Sequence, residues 1–188
     1  MAQAVPPMPE EIPVELWRGF QSRAGWRGSV AGIFIAPESA ADMIAMPQVR
    51  AFADRGLEGD RFFRESWSAV NRSDKAVSLI EEEVLDLAAA ELELKSIAQL
   101  TRRNIVSRGV PLVELLHKEF SVGGVRMRGV RLFEPCGHLV KVSKLPGIFN
   151  ALNHRSGLKA AILSDGAITI GDRIALQPDE VVAGAQNG

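Results

Sequence analysis

The stretch from Glu119 to Phe133 places the strongest constraint on the fold. Apolar and polar residues alternate on both sides of Gly123 and Gly124. Such alternation is typical of strands with one buried face, and glycines between two such runs are typical of a hairpin turn. Gly129 interrupts the alternation, which predicts a β-bulge. We therefore expect an antiparallel hairpin that packs one face against a hydrophobic core.

Several other short apolar runs are predicted to be strands. Asp165-Gly166 lies between two of them and predicts a tight turn that joins them as a second hairpin. Strands that follow one another through hairpins favour an antiparallel sheet over a parallel, doubly wound one. The predicted fold class is mainly β: a barrel-like, largely antiparallel sheet with peripheral α-helices. The remaining predicted strands are 29–36, 75–80, 101–106, 158–163 and 167–176.

The longest predicted helix covers 81–94, where apolar residues recur at helical spacing. Ser78 and Glu81 have the spacing of a capping box, although the helix can equally begin two residues later. Residues 40–53 show no clean periodicity and are interpreted as a loop with helical fragments. Shorter helical segments are predicted at 14–20, 111–116 and 148–154.

The ends of the chain are predicted to lie outside the folded domain. Four prolines among small residues make 1–13 a candidate mobile tail. We expect an N-terminal tail and short helical segment at 1–26, one domain at 27–176, and a C-terminal tail at 177–188.

Composition narrows the classes of function. A net charge of −1 gives no general attraction to nucleic acid or membrane surfaces, and no apolar run has the length of a membrane-spanning helix. A single cysteine excludes an internal disulfide, so a reducing cytoplasm is the expected compartment. The sequence contains no tyrosine, which excludes a tyrosine acid, base or nucleophile.

Cys136 is the first candidate functional residue. Pro135 and Gly137 flank it and predict a turn, where a sulfur is more exposed than in a strand interior. The neighbouring imidazole of His138 and the many arginines elsewhere in the chain would favour the thiolate, the form that binds metals and attacks electrophiles. The alternative is a buried thiol that packs as a small hydrophobe.

Arg102, Arg103 and Asn104 are candidate anion-binding residues. Guanidinium groups beside an amide suit a phosphate or carboxylate and the edge of a heterocycle. If this segment is a strand, only one of the two arginines faces a given pocket. The alternative is a solvated charge pair. Asp60 and Arg61 also have two interpretations, as part of a binding site or as a simple ion pair in a loop, because such a pair requires no ligand.

Other familiar sites are absent from the sequence. It has no GxGxxG or phosphate-binding loop, no CxxC pair and no HExxH motif. His117, His138 and His154 are far apart, so they would form a zinc site with Cys136 only through long-range folding.

Six motifs occur in one order along the chain. They are GLEGDR (56–61), AVSLIEEEVLDL (76–87), RRNIV (102–106), EPCGHL (134–139), SGLKAAIL (156–163) and GAITIGDRIAL (166–176). Together they resemble the MOSC domain, the module named after the C-terminal domain of molybdenum cofactor sulfurases. The resemblance extends over roughly 27–176 and implies a β-barrel-like fold with the cysteine in a pocket.

The resemblance also implies roles for particular residues. Cys136 matches the thiolate that ligates the metal or carries a persulfide. The motif at 102–104, with Arg102, Arg103 and Asn104, matches residues associated with the anionic end of the molybdenum–pterin cofactor. Asp60 and Arg61 match the GDR loop. His138 is assigned a catalytic role, as a hydrogen-bond partner of the thiolate or a proton donor, with an outward-facing histidine as the alternative.

Family members bind the molybdenum cofactor or carry sulfur, and some reduce N-hydroxylated bases. We expect a reductase of N-oxygenated small molecules that receives electrons from a separate donor. A sulfur carrier served by a sulfur-donor protein, and a non-catalytic binding domain whose cysteine merely packs, are the alternatives. The sequence lacks the pyridoxal-phosphate desulfurase domain of the sulfurases and the cysteines of an added iron–sulfur domain. This chain alone is therefore not expected to anchor pyridoxal phosphate.

Overall fold

The computed structural model describes residues 26–63 and 77–177. The predicted N-terminal tail and helix at 1–20 and most of the C-terminal tail lie outside these ranges. The described strands are β1 (Gly28–Ile35), β2 (Ile44–Ala45), β3 (Gln48–Phe52), β4 (Gly56–Leu57), β5 (Val77–Glu81), β6 (Ile105–Arg108), β7 (Glu119–Val122), β8 (Val125–Leu132), β9 (Leu158–Ile162), β10 (Gly166–Thr169) and β11 (Arg173–Leu176). The α-helices are α1 (Glu82–Glu91), α2 (Gly137–Ser143) and α3 (Ile148–Leu152), and short 3₁₀ helices cover Gln99–Thr101 and Leu112–Leu115.

Seven of the described strands close into a barrel. The order around it is β1, β6, β5, β9, β8, β7 and β11, and β11 pairs again with β1. β5 and β6 run parallel, whereas the other neighbouring pairs are antiparallel. The barrel is therefore mixed and mainly antiparallel, and the predicted fold class is confirmed.

The Gly123-Gly124 hairpin forms as predicted between β7 and β8. The pairing of β8 with β9 shifts register between Gly129 and Arg131, which confirms the predicted bulge. A side chain at Gly129 would place its Cβ 2.1 Å from the Leu115 carbonyl oxygen, so this close approach requires glycine.

A small second sheet corrects two predictions. β3 lies between β4 and β10, so the segment at 40–53 contains strands rather than helical fragments. β10 pairs with β3 instead of β9, so Asp165-Gly166 does not form a hairpin. Asp165 instead accepts a hydrogen bond of 2.7 Å from the backbone nitrogen of Ala53, at the point where the chain leaves the barrel. The predicted strand at 167–176 is two strands, β10 and β11.

The apolar residues form two layers. One cluster fills the barrel interior, with Leu79 and Ile105 among its members. The next residue on each of these strands, Ile80 and Val106, points outward and packs beneath the helices. β5 and β6 are consequently buried on both faces, which explains why apolar residues stand next to each other in these strands instead of alternating with polar ones.

The helix α1 confirms the longest predicted helix, over a shorter range than 81–94. Its N-cap residue is Glu81, which makes no side-chain capping hydrogen bond. The capping-box interpretation is therefore wrong, because the Ser78 hydroxyl bonds to the Asn104 side chain instead. In the described ranges, no helix combines the length and apolar character needed to cross a membrane.

Candidate functional site

Cys136 lies on the rim of an open cleft of about 90 Å³, formed where the segments after β1, after β4, before β6 and after β8 meet. We call this the cysteine cleft. It brings together Arg61, Arg102, Arg103, Cys136 and His138, five of the seven residues singled out from the sequence. The other residues on its walls are Ser39, Phe62, Phe133, Glu134, Pro135 and Leu139.

Cys136 is exposed and is the N-cap residue of α2. Its carbonyl oxygen accepts a 2.9 Å hydrogen bond from the backbone nitrogen of Leu139, which starts the helix. The sequence predicts a turn here and misses this seven-residue helix, since Gly137 is a poor helix former. The exposed position contradicts the alternative of a packed, buried thiol, and the sulfur is open to ligands.

Arg103 is buried beneath the cleft and is held by protein oxygens. Its Nε donates to the Ser156 carbonyl oxygen at 2.9 Å, and Nη1 donates to the Thr101 carbonyl oxygen at 2.8 Å. Nη2 donates to the Ser156 hydroxyl and, at 3.3 Å, to the Phe133 carbonyl oxygen. The guanidinium carbon also lies 3.6 Å from the centre of the Phe133 ring, within cation–π distance. This arrangement fixes the guanidinium in one orientation.

Burial lowers the pKa of Arg103 to about 9, and the Cys136 sulfur opposes that shift by electrostatic attraction. Arg103 therefore remains cationic at neutral pH. The attraction between the two groups is a direct electrostatic link between the buried cation and the exposed sulfur.

Arg102 corrects the strand-based prediction for the arginine pair. It has a left-handed backbone conformation with φ of 61°, and β6 begins only at Ile105. Alternation along a strand therefore does not apply, and both arginines line the same cleft. The Arg102 guanidinium donates to the carbonyl oxygens of Ala41 (2.7 Å) and Ser39 (2.9 Å), which fixes the loop after β1.

Arg61 lies on the cleft wall, and its Nη2 donates to the Arg102 carbonyl oxygen at 3.2 Å. The buried Asp60 carboxylate lies 3.2 Å from Arg61 Nη1 and also accepts backbone hydrogen bonds from Ala36 and Phe62, each 3.1 Å. Burial lowers the pKa of Arg61, and the negative charge of Asp60 partly offsets this. The GDR loop thus places a desolvated cation at the cleft.

Asn104 lies behind the cleft wall together with Asp60, and neither is part of the lining. Its Nδ2 donates to the Asp60 carboxylate and to the Phe34 carbonyl oxygen, each at 3.1 Å. Its Oδ1 accepts from the Ser78 hydroxyl at 2.8 Å. These contacts connect the GDR loop, β1 and β5, so the Asn104 side chain supports Asp60, the partner of Arg61, from behind the cleft wall.

His138 is exposed on the cleft rim, in the first turn of α2, and lines the same cleft as Cys136. His117 and His154 are not among the residues of this cleft. Among residues 26–63 and 77–177, no group of three or more histidines, cysteines or carboxylates is arranged to hold a metal ion. A metal bound at Cys136 would therefore need most of its ligands from a cofactor.

Sequence reasoning missed the aromatic part of the site. Phe133 contacts Arg103 on its ring and also lies 4.3 Å from the Lys159 ammonium, whereas Phe62 lies 4.7 Å from the Arg61 guanidinium. Phe133 directly precedes the EPCGHL motif, and Lys159 interrupts an apolar strand sequence. A lysine inside an otherwise apolar strand is the sequence signal that could have identified this region.

Comparison with known proteins gives a family and a fold. A family model described as the MOSC domain matches residues 49–175, which is more than half of the chain. The crystal structure of YuaD from Bacillus subtilis superimposes with a TM-score of 0.65 at 17% identity, covering 81% of this chain and 98% of that chain. YiiM from Geobacillus stearothermophilus has a TM-score of 0.63 at 16% identity, covering 83% of this chain and 78% of that chain.

YiiM from Escherichia coli gives a TM-score of 0.61 at 16% identity, covering 81% of this chain and 70% of that chain. At these identities the likeness supports the fold alone. No curated protein sequence matches the chain significantly.

Proposed function

The chain belongs to the MOSC domain family, and we propose that it binds the molybdenum cofactor in the cysteine cleft, with Cys136 as a metal ligand. We further propose that it reduces N-hydroxylated or other N-oxygenated small molecules. The exposed Cys136 sulfur beside cationic guanidinium groups is the observation that carries the proposal.

The donor set of the cleft fits the two chemically different ends of the cofactor. A thiolate is a soft ligand and suits the metal end, by extension of the softness rule for transition metals. Arg61 and Arg102 line the cleft and would attract the phosphate end. Arg103 already donates from Nε, Nη1 and Nη2 to protein oxygens, so its contribution would be positive charge and a fixed wall.

The cofactor, when bound, would supply the two-electron chemistry that removes oxygen from nitrogen. The chain itself would orient the substrate between the Phe62 and Phe133 rings and the cationic wall. His138 would hold a proton near the oxygen that leaves. Asp60, supported by Asn104, would keep Arg61 in position through buried hydrogen bonds.

The proposed electron donor is a separate protein. The sequence contains a single cysteine, so it cannot bind a cluster through four cysteine thiolates. We also propose a reducing, cytoplasmic location, where Cys136 remains a free thiol.

Elemental analysis tests the proposal directly. Protein expressed in a host that makes the cofactor is expected to contain molybdenum in a stoichiometric amount, and Arg102→Ala is expected to lower that content. Arg108→Ala is the matched control, because Arg108 is exposed, pairs with Glu82 and lies outside the cleft. Folded wild-type protein that contains neither molybdenum nor pterin would refute the proposal.

A sulfur carrier is the second candidate function. Cys136, Gly137 and His138 are all exposed, so a partner protein can approach the sulfur. Incubation of the metal-free protein with a cysteine desulfurase and cysteine would then add one labile sulfur atom, detected by mass spectrometry. The Cys136→Ser variant would not gain it. Sulfur uptake without molybdenum in the cofactor-producing host would favour this function over the first.

A further inference from the structure

A second cleft, of about 30 Å³, lies beside the cysteine cleft. We call it the acidic cleft. Glu134 belongs to both clefts, and Ser156 of the acidic cleft accepts hydrogen bonds from Arg103 of the cysteine cleft. The remaining residues on its walls are Glu81, Val84, Leu112, Val113, Leu132, Asn153, His154, Arg155 and Gly157.

His154 supplies an unsatisfied polar atom in this cleft. Its side chain is 10% exposed, and within the described part of the chain its buried Nε2 has no hydrogen-bond partner. Nδ1 lies 3.8 Å from Glu134 Oε1. In the neutral tautomer that carries its hydrogen on Nδ1, facing this carboxylate, Nε2 is an acceptor. A buried acceptor without a partner is costly, so this atom calls for a donor from a ligand.

Glu81 supplies a buried carboxyl group on the same cleft. Its Oε1 accepts a 3.2 Å hydrogen bond from the backbone nitrogen of Leu112. Burial raises the pKa of Glu81 to about 7; hydrogen bonds from the backbone of Glu81 and Leu112 oppose the shift, and the negative charge of Glu83 on α1 adds to it. A carboxylate here is poorly solvated, so a cation would interact with it strongly.

The other charged groups around Glu81 leave the cleft acidic. Glu134 contributes a second carboxylate from the segment after β8. Arg155, from the segment after α3, is held by Glu91 in a two-point ion pair and by the Ala151 carbonyl oxygen at 2.8 Å. On the outer side, Arg108 of β6 is paired with Glu82.

We propose that the acidic cleft is a second ligand-binding site, for a small organic ammonium ion with a short apolar tail. The ammonium group would donate hydrogen bonds to Glu81 and to Nε2 of His154. Val84, Leu112 and Leu132 would contact the tail. Glu81 and His154 have no part in the proposed cofactor site, so binding of the ammonium ion does not depend on binding of molybdenum.

Ethylammonium is a suitable probe, and ethanol is its neutral counterpart of similar size. For a ligand of three heavy atoms we expect a Kd on the order of 1 mM. Titration of the native protein at about pH 8, where Glu81 is ionised, should shift the imidazole nitrogen resonances of His154 in NMR spectra. Ethanol should bind at least about tenfold more weakly, as should ethylammonium at about pH 5.

Three variants separate a built site from a general surface effect. Glu81→Gln keeps an acceptor for Leu112 but removes the charge, and should weaken ethylammonium binding at least about tenfold. His154→Asn removes Nε2 and tolerates the residue's φ of 61°, so it should fold and bind more weakly. Glu82→Gln, whose carboxylate pairs with Arg108 outside the cleft, should bind like the wild type.

Three results would overturn the proposal. They are equal binding of ethanol and ethylammonium, unchanged binding by a folded Glu81→Gln variant, and no His154 shift with the folded wild-type protein at about pH 8. If Glu81→Gln does not fold, the pH comparison and His154→Asn decide the question.

Discussion

The two clefts differ in the sign of their charge and in how their polar groups are satisfied. In the cysteine cleft, the guanidinium groups of Arg102 and Arg103 donate to backbone carbonyl oxygens. In the acidic cleft, the Nε2 atom of His154 has no partner in the described residues and Glu81 is poorly solvated. The cysteine cleft therefore offers fixed positive charge, whereas the acidic cleft offers one acceptor without a partner and a poorly solvated carboxyl group.

The two clefts illustrate two ways in which a fold can prepare a binding site. Cations that their own hydrogen bonds already orient lose little conformational entropy when an anionic ligand binds. Leaving a buried acceptor without a partner destabilises the free protein and makes binding of a donor more favourable. The cysteine cleft should consequently tolerate replacement poorly, whereas the acidic cleft should tolerate neutral replacements well.

The largest expected effect is that of Cys136→Ser. A neutral hydroxyl is neither a soft anionic ligand nor able to carry a sulfane sulfur, so molybdenum content and activity should be lost outright. Because the residue is exposed, the free energy of unfolding should change by less than about 0.5 kcal/mol. Metal analysis and urea denaturation measure the two effects.

Alkylation provides an independent check on this residue. Native, metal-free protein should react with iodoacetamide at Cys136 without unfolding, and bound cofactor should protect the thiol. An unreactive thiol in native metal-free protein, together with full metal content in the serine variant, would contradict the role proposed for Cys136.

The next largest effect concerns Arg103→Ala. Removing a buried cation that donates to Ser156, Thr101 and Phe133 leaves their oxygens without a donor, and should cost about 3–5 kcal/mol of unfolding free energy. Arg102→Ala should cost less, because its donors hold a surface loop, and should mainly lower cofactor retention. Chemical denaturation of both variants measures the two losses of unfolding free energy, and equal losses would contradict the prediction.

Glu81→Gln should have an intermediate effect that depends on pH. The folded-state pKa of about 7 lies above the ordinary glutamate value of 4.5, so the folded protein binds the proton more tightly than the unfolded chain. Wild-type stability should fall as the pH rises through this window, by up to about 3 kcal/mol, and then level off. The glutamine variant should lack this decrease. Urea denaturation at several pH values measures it, and parallel curves for the two proteins would contradict it.

Local patterns predicted the parts of the fold that local contacts determine. The alternation and paired glycines at 119–133 identified a hairpin whose strands are adjacent in sequence. β3 escaped prediction because its partner, β10, lies more than a hundred residues away, although Val49 and Ala51 alternate with exposed neighbours. Asp165-Gly166 misled for the same reason, since its neighbouring strands pair with distant partners.

The candidate site shows the same limit. The family resemblance associated Cys136 and the two arginines with the same cofactor, and in the structure all three residues line one cleft. The strand argument for Arg102 and Arg103 failed because a left-handed residue precedes β6, which spacing does not reveal. The acidic cleft was not predicted at all, because Glu81 and His154 are brought together only by tertiary folding.

Glu134→Gln should have the smallest effect on stability and on ligand binding, and it allows the two clefts to be compared within one variant. The carboxylate is 39% exposed and belongs to both, so its removal should change stability by less than about 1 kcal/mol. Ethylammonium should bind less than about fivefold more weakly, because one of two negative charges is lost. Retention of the anionic cofactor should stay the same or rise slightly, because the cationic wall loses an opposing charge.

NMR titration and molybdenum analysis of one preparation measure both changes, and Glu114→Gln, outside both clefts, is the control. If both ligands were weakened equally, the two clefts would not differ in electrostatic character, and the comparison would fail.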